Sequence, residues 1–237
     1  MNVLQKLTRR LLFALLLAAA ALGGCAGSLP DDGPEPVISE AACRAIVERV
    51  AAAIQTTPAG GSFSVQATQD ELSSFLAIGA DVLEHYRQAR DAGTVPEPRQ
   101  IPGFEVFLTD AQWQTAMDDL YATTSGPGAL LVRLQGSIRQ PRAYLKPDGV
   151  LVLRGQASAA GLAVPLRVVL APESGAQGYT LRFAGGQLGS VGAPSWVSSL
   201  FEDALKQGME SAIKYVTIDS IEIVRGEMTV GGSVVQR

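Results

Sequence analysis

Val150 to Pro172 reads VLVLRGQASAAGLAVPLRVVLAP, and the pairing of its two halves decides the fold. Two strands, 150–157 and 162–171, flank a small-residue turn at Ala159-Ala160-Gly161. Apolar residues fall on both sides of each strand, whereas an antiparallel sheet with one solvated face should alternate cleanly. Register resolves the conflict. With Arg154 opposite Arg167, Leu151 meets Leu170, Leu153 meets Val168, Gly155 meets Leu166 and Ala157 meets Val164. One face then becomes wholly apolar or small, and a slip by one residue would mix leucines with arginines. A further strand, Tyr179 to Ala184, follows the turn ESGAQG (173–178) and places Val168 opposite Phe183 and Leu170 opposite Leu181. The expected wall is Leu151, Leu153, Val164, Leu166, Val168, Leu170, Leu181 and Phe183. The other face is mixed, with Val150, Val152, Arg154, Pro165, Arg167, Val169, Thr180 and Arg182. Arg154 directly opposite Arg167 is a like-charge pair, which destabilises a sheet. Either an anionic group offsets it, making Arg154, Arg167 and Arg182 anion contacts, or the three arginines cover the strand surface with their heads in water.

The chain begins MNVLQKLTRRLLFALLLAAAALGGCAGS. Lys6, Arg9 and Arg10 precede an apolar run, Leu11 to Leu22, that is too short to span a bilayer comfortably. Leu22-Gly23-Gly24-Cys25 resembles a bacterial lipobox, in which a signal peptide (1–24) is cut before a cysteine that carries lipid. Acyl chains on Cys25, palmitate among them, would hold the protein on the extracytoplasmic side of a membrane, at about 0.8 kcal/mol per buried CH₂. Cleavage would remove three cations and no acid, taking the net charge from −4 to −7. A net acidic chain suits neither nucleic acid nor a polybasic membrane patch. Residues 25–38, with the acid- and proline-rich AGSLPDDGPEP, read as a flexible tether that lifts the domain off the membrane.

A single domain is expected from 39 to 237. Ser39 can cap a helix at about 40–55, with Cys43, Ile46, Val47, Val50 and Ile54 on its apolar stripe. Cys43 reads there as a buried, inert thiol. SFSVQA (62–67) reads as a strand. Thr68-Gln69-Asp70-Glu71 is a capping box opening a helix to about Ala92, with Leu72, Phe75, Leu76, Gly79, Val82, Leu83 and Tyr86 on its stripe. Segment 93–128 contains a second capping-box candidate, Thr109 to Gln112, and Trp113, and reads as an insertion or lid. Pro141 marks an edge or a bulge in a strand from Ala129. Pro147-Asp148-Gly149 is a turn. Gly-rich 184–194 reads as a flexible crossing into a long helix, 195–216, whose stripe includes Trp196, Leu200, Phe201, Leu205 and Ile213. A hairpin turning near Arg225-Gly226 closes the chain. The expected fold class is α+β, a curved antiparallel meander wrapped around the long C-terminal helix, with additional N-terminal helices.

Catalytic patterns are missing. The only histidine, His85, sits away from its helix's stripe. One histidine and one spare cysteine make a poor zinc site. Gly189-Ser190-Val191-Gly192 is not a nucleophile elbow, and neither a Walker loop nor a Rossmann fingerprint occurs. No enzyme, cofactor or metal is expected.

The helix TQDELSSFLAIGADVL, the strand pair YLKPDGVLVLRGQASAAGLAVPLRVVLAP, the strand YTLRFAGGQLG, the helix PSWVSSLFEDALKQGMESAIKYV and the closing IDSIEIVRGEMTVGG occur in that order. The order resembles small bacterial envelope relatives of the tubular lipid-binding superfamily, which includes bactericidal/permeability-increasing proteins. The resemblance spans residues 62–234 and departs from the family in 93–128. It implies a curved sheet around a long helix, and a lipid or other hydrophobic ligand in the groove between them. The groove would be lined by the wall together with Trp196, Leu200, Phe201, Leu205 and Ile213. The residues themselves fit two readings equally. The wall can enclose a channel, as in a lipid carrier, or it can be a solid core. In the second case the chain is a non-enzymatic assembly or interaction lipoprotein that meets an envelope protein partner.

Overall fold

A computed structural model of the chain describes residues 29–79, 92, 138–159, 162–175, 178–193, 198–199, 201–202 and 216–235. The first helix, α1, is Glu40–Thr56. Ser39 Oγ accepts from the Ala42 N–H at 3.1 Å, satisfying one of the free donors of the first turn. Cys43 and Ile46 are buried, and Ile46 packs on Val65 and Ala67 of strand β1, Ser62–Thr68. Burial pushes the Cys43 thiol up, so it is a poor nucleophile.

The capping box forms as read. Thr68 Oγ1 accepts from the Glu71 N–H at 3.2 Å, and Glu71 Oε2 accepts from the Thr68 N–H at 2.8 Å. The helix it opens, α2, covers the described residues 69–79. Its inner face differs from the expected stripe. Phe75 is exposed, whereas Ser73 and Ser74 are fully buried. Hydrogen bonding is the cause. Ser73 Oγ accepts from the Ala143 N–H at 2.8 Å and lies 3.0 Å from the Ala143 carbonyl, while Ser74 Oγ accepts from the Ser39 N–H at 3.0 Å. Two small hydroxyls thus let α2 lie close against neighbouring backbone, a contact that an apolar count cannot see.

Five strands form one antiparallel sheet in the order β2 (Ile138–Leu145), β3 (Leu151–Ala159), β4 (Leu162–Gly175), β5 (Gly178–Leu188) and β6 (Val191–Gly192). The β3–β4 register is the one that sorts the wall: Arg154 pairs with Arg167, Leu151 with Leu170 and Leu153 with Val168. The β4–β5 register differs by two residues, with Leu170 opposite Phe183 and Pro172 opposite Leu181. The strands run on to Gly175 opposite Gly178, so the connection is tighter than the six-residue turn expected. A shift of two keeps each side chain on its face.

Two bulges then repair the parity. Leu181 and Phe183 are odd-numbered and Leu188 is even, yet all three pack on the wall side because the register slips between Val169 and Leu170, leaving Ala184 as the extra residue. Likewise β2 slips between Arg139 and Arg142, with Gln140 at φ 51° beside Pro141. Ile138 therefore joins Ala143 and Leu145 on the wall side. Within the Gly-rich stretch read as a flexible crossing, residues 184–188 and 191–192 are strand. The chain turns at Gly189, φ +62°, into β6, and the Gly189 N–H donates to the Pro165 carbonyl at 2.7 Å.

β7 (Val216–Val224) and β8 (Glu227–Val234) form the expected hairpin, but β1 pairs along the free edge of β8. The result is a second sheet in the order β1-β8-β7. This overturns the expected fold class. The described residues form a mostly β structure of two antiparallel sheets, with helix at α1, α2 and the short stretches 198–199 and 201–202. No long C-terminal helix is seen among them. Trp196, Leu200, Leu205 and Ile213, and the whole of segment 93–128, lie outside the described residues. The physical reason is non-local pairing. Residues 62–68 and 227–234 have the alternation of strands, but nothing in either segment says that they pair with each other across the whole chain.

Candidate functional site

The wall of the five-stranded sheet is covered by the protein itself. Val168 and Leu170 are 0% and 1% exposed, and Leu151, Val164 and Leu166 are also buried. Against them pack Ala143 and Leu145 from β2, Leu72 and Leu76 from α2, Ile223 and Met228 from the second sheet, and Phe201. Phe201 is the one member of the expected helix lining that the described residues place on the wall; its ring lies 6.5 Å from that of Phe183. Leu153, Leu181 and Phe183, on the same wall, are only partly buried. The sequence pointed to the wall but not to its cover. Ile223, in the alternating IEIV of 221–224, carried the available signal, while Ala143 and Leu145 were hidden by the bulge at Gln140-Pro141.

The back of the same sheet holds a second arrangement. Arg142 pairs with Arg154, and Arg154 pairs with Arg167, so three guanidiniums stand in a ladder across β2, β3 and β4. Lys146 joins them. Such a row of like charges requires anions, and segment 29–38 supplies them. Asp32 lies across the ladder with its side chain 1% exposed. Arg167 Nε and Nη2 donate to its two carboxylate oxygens at 2.9 and 2.7 Å, a bidentate pair. Arg154 Nε and Lys146 Nζ approach Asp32 at 3.7 and 3.8 Å. The Asp32 carboxylate raises the Arg167 pKa further above its already high ordinary value. Three residues on, Glu35 accepts from the Tyr144 hydroxyl at 2.8 Å and lies 3.3 Å from Arg142 Nε. Burial first, and then the Glu35 carboxylate, push the Tyr144 phenol up. Arg154 also lies over the Tyr144 ring, 5.6 Å from its centroid.

The spacing is simple. Three extended residues cover about 10 Å, and crossing from β4 to β2 takes two strand spacings of about 4.8 Å. Asp32 and Glu35 therefore meet the two ends of the ladder in turn. The chain continues as a strap onto α2. Gln69 Nε2 donates to the Pro34 carbonyl at 3.0 Å, and the Val37 N–H donates to Asp70 Oδ1 at 2.9 Å. Residues 29–38 are thus docked, not a free tether. Of the three expected anion contacts, Arg154 and Arg167 come together on Asp32, and Arg182 stands apart with Glu173 at 3.2 Å, both about half exposed. Arg142, Lys146 and Tyr144 were missed because the bulge shifts their phase. Asp32 and Glu35 were visible as acids but read as solvated.

Among the described residues no group of histidines, cysteines and carboxylates could hold a metal ion, and no helix is long and apolar enough to cross a membrane. Cys25, the expected lipidation site, lies outside the described residues. Comparison with known proteins adds no relative: no family model, no curated protein and no solved structure matches the chain.

Proposed function

We propose that this is a lipid-anchored, non-enzymatic protein of the bacterial cell envelope, held through acylated Cys25 on the extracytoplasmic side of a membrane, that acts by binding another envelope component. The observation that carries it is the covered wall. Val168 and Leu170 are sealed by Phe201, Leu72, Ile223 and Met228, which is a core and leaves those positions no ligand surface. The lipobox-like Leu22-Gly23-Gly24-Cys25 supports the anchor, and the ion pairs of the back face are consumed internally rather than aimed at a substrate.

A second reading has its own support. Leu153, Leu181 and Phe183 are half-buried, and the apolar surface they leave suits a lipid or other hydrophobic ligand, the class that the tubular lipid-binding resemblance implies. Native mass spectrometry of the gently purified full-length product separates the two. The filled-core reading expects the covalent acyl mass on Cys25, absent in Cys25→Ser, and nothing further bound. Co-purified lipid that is lost in Leu153→Glu would establish the second reading. An unacylated Cys25 would sink the anchor.

A further inference from the structure

Asp32 is a single carboxylate that serves three cations. Arg167 takes both of its oxygens, at 2.9 and 2.7 Å. Arg154 Nε and Lys146 Nζ are left at 3.7 and 3.8 Å, close enough for charge attraction but too far for a hydrogen bond to it. Glu35 is engaged with Arg142 and Tyr144, and Asp148 in the β2–β3 turn adds its field at Arg167. The strap therefore underfills its seat. A phosphate monoester carries about two negative charges and three acceptor oxygens, enough to meet all three cations, and arginine grips it in the same bidentate way as a carboxylate. The seat belongs to the sheet. Arg154 and Arg167 stand directly opposite each other on β3 and β4, and the Lys146 N–H donates to the Val150 carbonyl at 2.9 Å across the turn. With the strap docked, Arg154, Lys146 and Arg167 still expose 26%, 25% and 16% of their side chains, so the seat is open at its rim.

The strap also has a pivot. Pro34 and Val37 are tied to α2 through Gln69 and Asp70. Gly33, between them and Asp32, has φ +108° and nothing within 4 Å of where a Cβ would lie. Glycine turns freely there, so residues 29–33 can swing away while 34–39 stay on α2. We infer that Arg154, Arg167 and Lys146 form a binding site for a phosphate-bearing ligand, and that Asp32 occupies it in cis as a competitor that the ligand displaces. The ion pairs are internal while the strap is docked, and the site opens when residues 29–33 leave. This goes beyond the anchored-envelope reading and does not need acylation of Cys25. A lipid headgroup and a water-soluble phosphate ester present the same chemistry to the three cations.

The test is titration calorimetry of the full-length protein with inorganic phosphate, at an ionic strength held constant with sodium chloride. Asp32→Asn removes the competitor and should bind phosphate at least tenfold more tightly than wild type. Adding Arg167→Gln should abolish that gain. Gly33→Ala keeps every charge but strains the docked backbone, since its φ disfavours a residue with a Cβ, and should bind at least threefold more tightly. It decides alone if Asp32→Asn does not fold. Folded variants that bind phosphate no more tightly than wild type would make the cluster a structural ion-pair network and overturn the inference. Dioctanoyl phosphatidic acid, titrated into the more tightly binding variant, distinguishes the sources. Affinity at least tenfold above that of inorganic phosphate assigns a lipid headgroup, and equal affinity assigns a water-soluble ester. An unacylated Cys25 would remove the anchor and leave these ratios unchanged.

Discussion

Asp32 carries more of the back face than any other described residue, because among the described residues it is the carboxylate that Arg167, Arg154 and Lys146 share. Removing one member of a buried pair leaves the others desolvated and unpaired. Asp32→Ala should therefore cost about 3 kcal/mol by denaturant titration, whereas Arg182→Ala, which breaks a half-exposed pair with Glu173, should cost about 0.5 kcal/mol or less. Equal effects would mean that the strap contributes nothing to the folded state. Glu71 offers a pH test. Arg49 donates to its two carboxylate oxygens at 2.8 and 3.0 Å, and also to the Gln66 carbonyl. The Arg49 hydrogen bonds hold the Glu71 carboxyl below the usual glutamate range, against burial, with Thr68 assisting. A carboxylate whose pKa is lower in the folded state binds fewer protons there than in the unfolded chain. Its stabilisation is full above about pH 4.3, the ordinary glutamate value, and is lost as pH falls through the depressed value. With Arg49 40% exposed, solvent screening limits the effect to about 1 kcal/mol. Acid titration of stability should be flatter in Arg49→Gln over that window, and an unchanged profile would remove the pair from the account.

At the level of elements, the two bulges decide which side chains form the core. Deleting Ala184 would force β5 into continuous register with β4, turning either Leu181 and Phe183 or Leu188 off the wall. Exposing such side chains costs about 1.5–3 kcal/mol each, so the deletion should lower stability by more than about 3 kcal/mol in a denaturant melt, while Ala184→Ser, at an exposed position, should be nearly neutral. The strands around Val150 to Pro172 were legible because one register alone segregates leucine from arginine. The capping box at Thr68 and the turn at Pro147-Asp148-Gly149 were legible because their chemistry is local. The β4–β5 register and the phase of Arg142 were not, since a bulge changes parity without leaving a compositional mark beyond Pro141. The inward turn of Ser73 and Ser74 was hidden for a related reason: their partners, Ala143 and Ser39, are remote in sequence.

At the scale of the molecule, the sequence shows strands and helices but not which strand joins which sheet. Pairing of β1 with β8 joins residues more than 150 positions apart, and it replaces the expected helix-wrapping meander with two sheets sharing one core. The candidate site followed the same division. The wall and two of the three arginines were readable from alternation. The strap that answers the arginines was not, because DDGPEP has the composition of a linker and its order comes entirely from the surface it meets. The strap ties residues 29–38 to the fold, and its docking is the central claim. Hydrogen–deuterium exchange at the Val37 and Ser39 amides tests it most directly, since these donate to Asp70 Oδ1 and Ser74 Oγ. The account predicts that both exchange at least tenfold more slowly than an unstructured peptide of the same sequence, and that Asp32→Ala speeds them while leaving the β3–β4 amides protected. Exchange of residues 29–39 at the free-peptide rate in the wild type would contradict it.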